Sequence, residues 1–457
     1  MTRIGLALVL ALALGLGLSQ AGTTAAQGAR TVVVGGLDAP RGLAFGPDGK
    51  LFVAEAGSGG DEQTAWVPPF QIGRIGTSGR ILRVDGGQAT AVASGIQSVA
   101  LGPNGGEVVG PQEIAFLGST MYALVGQANA LPTGTQTFSL LVRVDADGKT
   151  ETVADLGKYE RDNNPDGTVP DSNPFGLVAG PDGNLYVADA GGNDVLKVTP
   201  GGEVSTVHAW RDNPVPTSLA FDRQGRLNVA FLSGAPFVPG SSRLERISGS
   251  STEVVVPNLT MVVDMEAGPD GNMYVLQYSA EFVLAPPPPG HRPNSGRVLR
   301  VGANGLEEMA GGLNFPTKMV FGPDGALYVT NNGAHSPAKS GEILKLTLPS
   351  SGTPVQIGAP AAQPAPGAGP SPAAKPAAPA PAAAPAAQPS PAAKPAAPSQ
   401  APAAKPAPAQ APAVVASPAA LPRTGVGPDV LDAMAPIAGA GAALVVVGLG
   451  LIRRRRR

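Results

Sequence analysis

The sequence predicts an all-β fold, namely a six-bladed β-propeller whose last blade is closed by a strand from the N-terminal end. Three observations lead to this prediction. A hairpin motif recurs six times along the chain, further strand patterns follow each hairpin, and an unpaired strand pattern precedes the first motif. Four antiparallel strands per unit, repeated radially, form the blades of a propeller. A β-sandwich is the alternative, but sandwiches do not repeat so regularly.

The recurring motif is an apolar segment, a Gly-Pro-Asp-Gly turn and a second apolar segment. Proline presets φ and glycine supplies a positive φ, so the turn joins two antiparallel strands into a hairpin. Four clear copies and two weaker ones occupy residues 45–55, 179–189, 267–277, 321–331, 114–124 and 221–231. Their second strands end at equivalent positions, which hold Glu55, Val125, Asp189, Phe231, Gln277 and Asn331.

A third strand pattern follows every hairpin. The six patterns occupy residues 80–84, 140–144, 194–198, 243–247, 297–301 and 342–346. A more variable fourth strand comes next, except in the sixth unit, which stops near Leu348. Residues 31–35 form an orphan strand before the first unit, and its pairing into the sixth blade would close the ring. We therefore predict that residues 30–349 form the propeller.

The predicted connections differ in length by class. Turns between first and second strands, and between third and fourth strands, are short. The long segments fall between second and third strands or between blades: residues 56–79, 126–137, 232–242, 278–295, 332–340, 95–111 and 155–173. Both long classes emerge on one face of an up-and-down blade, here called the elaborated face, and the opposite face is the trimmed face. Because binding usually takes place on such loops, an unknown ligand or protein is expected on the elaborated face.

Composition excludes several classes of function. The 457 residues carry a net charge of −2 and include no cysteine. The charge gives no sign of nucleic acid as a partner, and the missing thiols exclude disulfides, thiolate metal sites and thiol catalysis. Residues 1–29, with Arg3 before an apolar run, predict a secretory signal peptide, and an uncleaved anchor helix is the alternative. Residues 350–420 are almost entirely Ala and Pro, which predicts a disordered, extended stalk.

The C-terminal segment, residues 421–457, resembles a sortase cell-wall sorting signal. Its pentapeptide consists of Leu421, Pro422, Arg423, Thr424 and Gly425. An apolar stretch over residues 435–452 and five arginines follow, which predicts a transmembrane helix with a cytoplasmic end. The resemblance implies that sortase joins Thr424 to peptidoglycan, and the alternative is a permanent membrane anchor. Both place the propeller outside a bacterial cell, anchored to its wall or membrane.

Candidate channel residues are found on the first strands, which line the centre of a propeller. Glu113, Asp264 and Lys318 occupy equivalent positions there and are expected to converge near the axis. The alternative to a functional site is a polar channel whose side chains satisfy one another and water. The sequence shows no catalytic triad, phosphate-binding loop or dinucleotide motif, so no catalytic residue is predicted.

Metal candidates are weaker. Residues 162–167 have the D-x-N-x-D-G opening of a calcium loop, which makes Asp162, Asn164, Asp166 and Asn173 candidate Ca²⁺ ligands. The twelfth position is Asn173 where such loops have Glu, and Pro165 interrupts the loop. A network of Asx and proline turns is the favoured interpretation, so we expect a flat calcium titration.

A family resemblance covers residues 31–349, which are similar to ScyD/ScyE family propellers of the NHL-like type. It is carried by residues 36–49, by the Asn-Pro-Asp-Gly of residues 164–167 and by residues 171–176. The resemblance implies the fold and an extracytoplasmic setting, but no catalytic residue. The leading hypothesis is therefore a surface-displayed binding module. The rival is a calcium-dependent hydrolase or lactonase of the gluconolactonase-like type, in which Glu113, Asp264 and a loop Asn or Asp would hold one ion.

Overall fold

The computed structural model describes residues 29–65, 72–102, 107–127, 138–283, 290–303 and 305–355. Their strands form six antiparallel sheets, one for each predicted blade, and a separate two-stranded hairpin. This confirms the predicted all-β propeller. The sortase pentapeptide and the predicted transmembrane segment lie outside the described residues, as do nearly all of the signal segment and stalk. Within the described residues, no helix is long and apolar enough to span a membrane.

The N-terminal strand closes the ring as predicted. Strand β1 (Arg30–Leu37) pairs antiparallel with β28 (Gly341–Leu346), the third strand of the sixth blade. The other strands of that blade are β26 (Met319–Phe321) and β27 (Leu327–Asn331). The closure joins parts of the chain far apart in sequence, and the backbone N–H of Lys339 also donates to Asp38 at 2.8 Å.

The first blade departs most from the prediction. Its strands are β2 (Pro40–Phe45), β3 (Leu51–Glu55), β4 (Glu62–Ala65), β5 (Ile72–Asp85), β6 (Gln88–Leu101) and β7 (Glu107–Val109). Strand β5 is 14 residues long, although the sequence predicts a third strand of residues 80–84 only. Much of the segments 56–79 and 95–111, predicted as loops, is therefore an extension of the sheet on the elaborated face.

Blades two to four follow the four-strand pattern. The second blade contains β8 (Pro111–Leu117), β9 (Thr120–Val125), β10 (Leu140–Val144) and β11 (Thr150–Asp155), and helix α1 (Leu156–Asn163) follows it. The third contains β12 (Pro174–Ala179), β13 (Leu185–Asp189), β14 (Asp194–Val198) and β15 (Val204–Ala209). The fourth contains β16 (Pro216–Phe221), β17 (Leu227–Phe231), β18 (Ser242–Ser248) and β19 (Ser251–Leu259).

The fifth blade gains a strand that the sequence did not indicate. It contains β20 (Val262–Ala267), β21 (Met273–Gln277), β24 (Gly296–Gly302), β25 (Gly305–Leu313) and β29 (Thr353–Val355). The hairpin β22 (Phe282–Val283) and β23 (Gly290–His291) lies in its long loop. Strand β29 pairs with the outer edge of β25, so ordered structure extends past the predicted boundary at residue 349. It covers an edge that would otherwise be open to pairing with another chain.

In each clear copy of the Gly-Pro-Asp-Gly turn, the aspartate accepts the backbone N–H two residues further on, and in the three copies with a following tyrosine it also accepts the tyrosine hydroxyl. In the sixth blade, Asp324 accepts the backbone N–H of Ala326 at 3.1 Å and the hydroxyl of Tyr328 at 3.0 Å. The final glycine, Gly325, has φ of 77°. A Cβ on the first glycine, Gly322, would lie 2.7 Å from the ring of Tyr328. Both glycines are therefore required, one for backbone conformation and one for close approach.

The core lies between neighbouring blades, whose faces pack on each other. In each blade, a central residue of the second strand is 0% exposed. These residues are Val53, Ala123, Val187, Val229, Val275 and Val329. A strand buried on both faces reads as a continuous apolar run, which explains why the second strands are the clearest part of each motif.

Candidate functional site

One backbone hydrogen bond recurs where each blade begins on the elaborated face. In the first five blades, the residue one past the second strand donates its N–H to the carbonyl of the residue just before the first strand. In the sixth blade the donor lies two residues past β27 and the acceptor four residues before β26. The six pairs are Ala56 to Ala39, Gly126 to Gly110, Ala190 to Asn173, Leu232 to Val215, Tyr278 to Met261 and Gly333 to Phe315. These bonds fix the ends of the first strands, which surround the central channel on this face.

Several of these entry residues have unusual backbone conformations. Ala39, Val215, Met261 and Phe315 all have positive φ, between 42° and 60°. A positive φ is unfavourable for non-glycine residues and most unfavourable for a β-branched residue such as Val215. Strain of this kind persists only where the surroundings impose it, and it concentrates at binding and catalytic sites.

Inside the channel, the three predicted residues do come together. The Nζ of Lys318 lies 2.9 Å from Oε2 of Glu113 and 3.0 Å from Oδ1 of Asp264. Asp264 also accepts the hydroxyl of Ser218 at 2.8 Å and the backbone N–H of Met319 at 2.9 Å. We call Glu113, Asp264, Lys318 and Ser218 the channel cluster. Through charge-assisted hydrogen bonds it joins the first strands of the second, fourth and fifth blades to Lys318, the residue just before the first strand of the sixth.

Glycine allows the remaining first strands to approach this cluster. A Cβ on Gly42, the equivalent residue of the first blade, would lie 2.6 Å from Oε1 of Glu113. A Cβ on Gly176, the equivalent residue of the third blade, would lie 2.7 Å from the carbonyl of Thr217. The channel is therefore narrow at this level, since backbone occupies the space that side chains fill in the other blades.

Burial dominates the electrostatics of the channel. It raises the pKa of Glu113 to about 7, against the opposing effect of the Lys318 ammonium. Burial also raises the pKa of Glu266, which lies two residues after Asp264 on the same strand, to about 8. Burial alone would lower the pKa of Lys318, but Asp264, Glu113 and Glu266 outweigh it and raise that pKa. Lys318 therefore stays charged and is the cation that the buried carboxylates share.

This arrangement bears on the hydrolase alternative. A catalytic calcium ion would need Glu113 and Asp264 to turn their oxygens toward a common space. In the structure, the ammonium group of Lys318 occupies the position between them. The cluster therefore fits a polar channel whose side chains neutralise and hydrogen-bond one another better than it fits a calcium site.

A second polar group lies above the channel cluster, at the channel mouth. Arg41 forms a buried ion pair with Glu107 and donates to the carbonyl of Val108 at 2.6 Å. The Nε2 of His335 lies 3.3 Å from Oε2 of Glu107. On its other side, Nδ1 of His335 lies 2.5 Å from the hydroxyl of Tyr278. These four side chains form a continuous chain from the first blade to the fifth.

Protonation states in this chain follow from burial. Burial raises the pKa of Tyr278, so its hydroxyl keeps its proton and donates to Nδ1 of His335. Burial also lowers the pKa of His335, and the proton of its neutral ring is then on Nε2, facing Glu107. Neighbouring His291 is held neutral as well, because burial lowers its pKa to about 3.

The mouth encloses a small cavity. Its volume is about 30 Å³, and polar residues supply much of its lining: Arg41, Glu107, Gln112, Gln127, Asn173, Tyr278 and Thr317. Two buried atoms there, Nε of Arg41 and Oε2 of Glu107, make no hydrogen bond within the described residues. A larger cavity, of about 340 Å³, opens on the trimmed face between the fourth and fifth blades. Its arginines Arg226 and Arg246 face the carboxylate of Asp222.

The structure separates the four metal candidates. Asp162 is exposed and pairs with Lys158, and Asn164 caps the end of helix α1 in a left-handed conformation. Asp166 is buried and accepts hydrogen bonds from Thr168 and from Asn193. Asn173 lines the channel mouth. The four do not surround one point, and the turn network expected for this loop is present.

Sequence reasoning missed the residues of the mouth and a second group of acids. Arg41 begins a first strand and Tyr278 follows a second strand, so strand alignment could have placed both on the elaborated face. Glu107 and His335 lie in predicted loops and gave no such signal. Asp194 could have been found by aligning the third strands, because the first and fifth blades have Arg80 and Arg297 at the equivalent position.

Comparison with known proteins gives likenesses of structure alone. No family model and no curated protein matches the chain. The resemblance to ScyD/ScyE propellers therefore stays a prediction.

Among solved structures, a putative oxidoreductase (glucose dehydrogenase) from Thermus thermophilus is 18% identical, with a TM-score of 0.46 over 70% of this chain and 99% of that one. A putative gluconolactonase is 14% identical, with a TM-score of 0.42 over 72% and 95%. The PQQ-bound aldose sugar dehydrogenase from Streptomyces coelicolor is 16% identical, with a TM-score of 0.43 over 71% and 99%. Likeness at this level is too low to carry an activity across to this chain.

Proposed function

We propose that this chain is an exported, envelope-anchored β-propeller that binds a polar group of a larger ligand at its channel mouth. Export and anchoring are supported by the N-terminal apolar segment and the sorting-signal resemblance of residues 421–457. The observation that carries the binding role is the mouth itself. It opens among the elaborated loops, and Nε of Arg41 and Oε2 of Glu107 there make no hydrogen bond within the described residues.

The size of the cavity decides what kind of ligand fits. Pockets that enclose a small molecule have volumes of roughly 300–1,000 Å³. The mouth cavity has a volume of about 30 Å³, which is about a tenth of the smallest of these pockets. It has room for a single functional group, such as a hydroxyl or an amide, projecting from a molecule that rests on the elaborated face.

The binding role can be tested by comparing matched variants. We would incubate the full chain with extracts of its own cell envelope and identify the retained molecules by mass spectrometry. The variant Gln112→Ala/Gln127→Ala changes the mouth, and the control Gln224→Ala removes an exposed amide on the trimmed face. We expect a molecule that the control retains and the mouth variant loses. Equal retention by all three proteins would contradict binding at the mouth.

A calcium-dependent hydrolase or lactonase is the second candidate. The observation that favours acid–base chemistry is the chain of Tyr278, His335 and Glu107. Its histidine side chain is only 2% exposed and both ring nitrogens face protein groups, so a substrate has little access to it. Hydrolysis of simple lactones by the full chain in Ca²⁺, lost in Tyr278→Phe, would favour this candidate over a binding module.

A further inference from the structure

Five carboxyl groups are buried together where the third blade meets helix α1. They belong to Glu160, Asp166, Asp171, Asp189 and Asp194, which are between 0% and 6% exposed. We call them the acidic cluster. Carboxylates are almost never fully buried unless something pairs with them, so the cluster needs either protons or a bound cation to neutralise its charge.

Two of the five carboxylates are satisfied by hydrogen bonds. Asp189 accepts the hydroxyl of Ser172 at 2.6 Å and the backbone N–H groups of Asn173, Gly191 and Gly192. Asp166 accepts from Thr168 and Asn193. These two side chains have fixed positions and shape the surrounding loops.

The other three carboxylates hold oxygens that make no hydrogen bond. Both oxygens of Glu160, both of Asp194 and Oδ1 of Asp171 are buried without such a partner in the described structure. The backbone N–H of Asp171 lies close enough to Glu160 to lower the pKa of that carboxyl group. It does not form a hydrogen bond with either oxygen of Glu160. Unpaired buried oxygens of this kind are rare in folded proteins.

Two adjacent glycines leave space between these groups. A Cβ on Gly192 would lie 3.1 Å from Oε2 of Glu160, 3.4 Å from Oδ1 of Asp194 and 3.5 Å from the carboxyl carbon of Asp189. A Cβ on Gly191 would lie 3.0 Å from Oδ1 of Asp171. Side-chain oxygens therefore surround a space that any larger residue would fill.

The equivalent positions of other blades show which charge is missing beside Asp194. Asp194 pairs directly across the sheet with Asp189. In the first blade, the equivalent pair is Glu55 with Arg80, whose side chains form an ion pair. In the fifth blade it is Gln277 with Arg297, joined by a hydrogen bond of 3.0 Å.

The third blade thus has an acid where the first and fifth blades have a guanidinium. Like charges directly opposite each other in a sheet are destabilising, and burial increases the effect. Burial, together with the neighbouring carboxylates, raises the pKa of Glu160 to about 8 and that of Asp171 to about 7. The pKa of Asp194 is raised for the same reasons.

We propose that the acidic cluster binds one Ca²⁺ ion between Glu160, Asp171 and Asp194, where the ion supplies the positive charge that an arginine supplies in the first and fifth blades. The donors are all oxygens, which suits a hard cation, and Ca²⁺ tolerates flexible coordination. No three His, Asp or Glu side chains of the described residues already surround one point as ligands. Oxygens of Glu160 and Asp194 lie beside Gly192 and an oxygen of Asp171 beside Gly191, so binding requires the three carboxylates to move closer together.

The ion would also hold one wall of the channel mouth. Asp189, beside the proposed ion, accepts the backbone N–H of Asn173 at 2.6 Å, and Asn173 lines the mouth. The site does not depend on the proposed ligand-binding function, because it is defined by charge and hydrogen bonding alone. It differs from the calcium loop considered from the sequence, since Asp162 and Asn164 take no part. With this site, the melting temperature should respond to calcium, whereas the loop alone led us to expect a flat calcium titration.

The test measures thermal unfolding of the full chain after EDTA treatment, in EDTA and in CaCl₂, together with the calcium content per chain. Ligands that bind only the folded state raise its melting temperature by mass action. We expect a clear rise with Ca²⁺ and one bound ion per chain. No rise in the wild-type chain would overturn the proposal.

Matched variants separate an ion site from ordinary structural acids. Glu160→Gln and Asp194→Asn remove repulsion, so each should melt above the wild type in EDTA and lose the calcium response. Asp194→Arg, which restores the residue of the first and fifth blades, and Gly192→Ala, which fills the space, should lose it too. Asp162→Asn, on the exposed face of α1, should keep it.

Two results from these variants would contradict the site. One is a calcium response that persists unchanged in Glu160→Gln and Asp194→Asn. The other is a melting temperature for both neutral variants below that of the wild type in EDTA. The second result would mean that the charged carboxylates themselves stabilise the ion-free protein.

Discussion

The variant Lys318→Met tests whether the channel cluster is an ion network. The change removes the ammonium that lies 2.9 Å from Glu113 and 3.0 Å from Asp264, while methionine keeps an unbranched side chain one atom shorter. Breaking a buried ion pair from one side typically costs about 3–5 kcal/mol, because the remaining charge is left unpaired. We expect a loss in this range in the free energy of unfolding at pH 8.

The loss should become smaller at pH 5. Burial already raises the pKa values of Glu113 and Glu266 to about 7 and about 8, and removing Lys318 raises them further. A carboxyl group whose folded pKa is raised contributes stability below its unfolded pKa, and this is lost as pH rises through the folded pKa. At pH 5 Glu113 and Glu266 keep their protons in the folded variant, so neither is left as an unpaired charge.

Denaturant unfolding at pH 5 and pH 8 gives the two free energies by linear extrapolation. The double variant Lys318→Met/Glu113→Gln should recover part of the loss at pH 8. Lys50→Met is the matched control, because Lys50 pairs with Asp85 on the exposed surface, where water screens the pair and its loss should change stability little. An equal loss at both pH values would refute the electrostatic explanation and indicate lost packing instead.

Four further predictions concern other parts of the chain. Deleting residues 30–37 should expose the edge of β28 and cause association, whereas a monomer in size-exclusion chromatography with an unchanged melting temperature would argue against the closure. Thr424→Ala should move the chain from the peptidoglycan-linked fraction to the detergent-soluble membrane fraction, and a wild-type chain recovered there uncut would favour a permanent anchor. Glu107→Ala should reduce the free energy of unfolding by roughly 3–5 kcal/mol, because Arg41 loses its buried partner, and denaturant unfolding measures this. Asp324→Ala should cost about 1 kcal/mol more than Asp48→Ala by the same assay, because Tyr328 donates to Asp324 while Phe52 has no hydroxyl to donate; equal losses would contradict this.

The repeat made most of the fold predictable. Each Gly-Pro-Asp-Gly turn combines a required backbone conformation with a close ring contact, so its residue types recur wherever the hairpin does. The closure by β1 followed from counting strands, since a blade short of one strand needs a partner from elsewhere. Strand β29 was missed because three residues, Thr353–Val355, form no periodic pattern.

The candidate sites were predictable only in part. Glu113, Asp264 and Lys318 share one position in the repeat, so alignment was enough to place them together. The acidic cluster combines residues of a loop, a helix and two strands, and only the fold shows that Glu160 lies near Asp194. The predicted D-x-N-x-D-G loop contributed Asp166 but not Asp162, because helix α1 includes Asp162 and directs it to solvent.

The closure by β1 has a kinetic consequence. The strand that completes the sixth blade is the first to be synthesised, and its partner β28 is nearly the last. Contacts such as that between Asp38 and Lys339, 301 residues apart, form only after nearly the whole propeller has been synthesised, and such distant contacts slow folding. During that interval both strands present unpaired backbone groups. A chain crossing a membrane in an extended form would therefore depend on rapid ring closure after release to avoid aggregation.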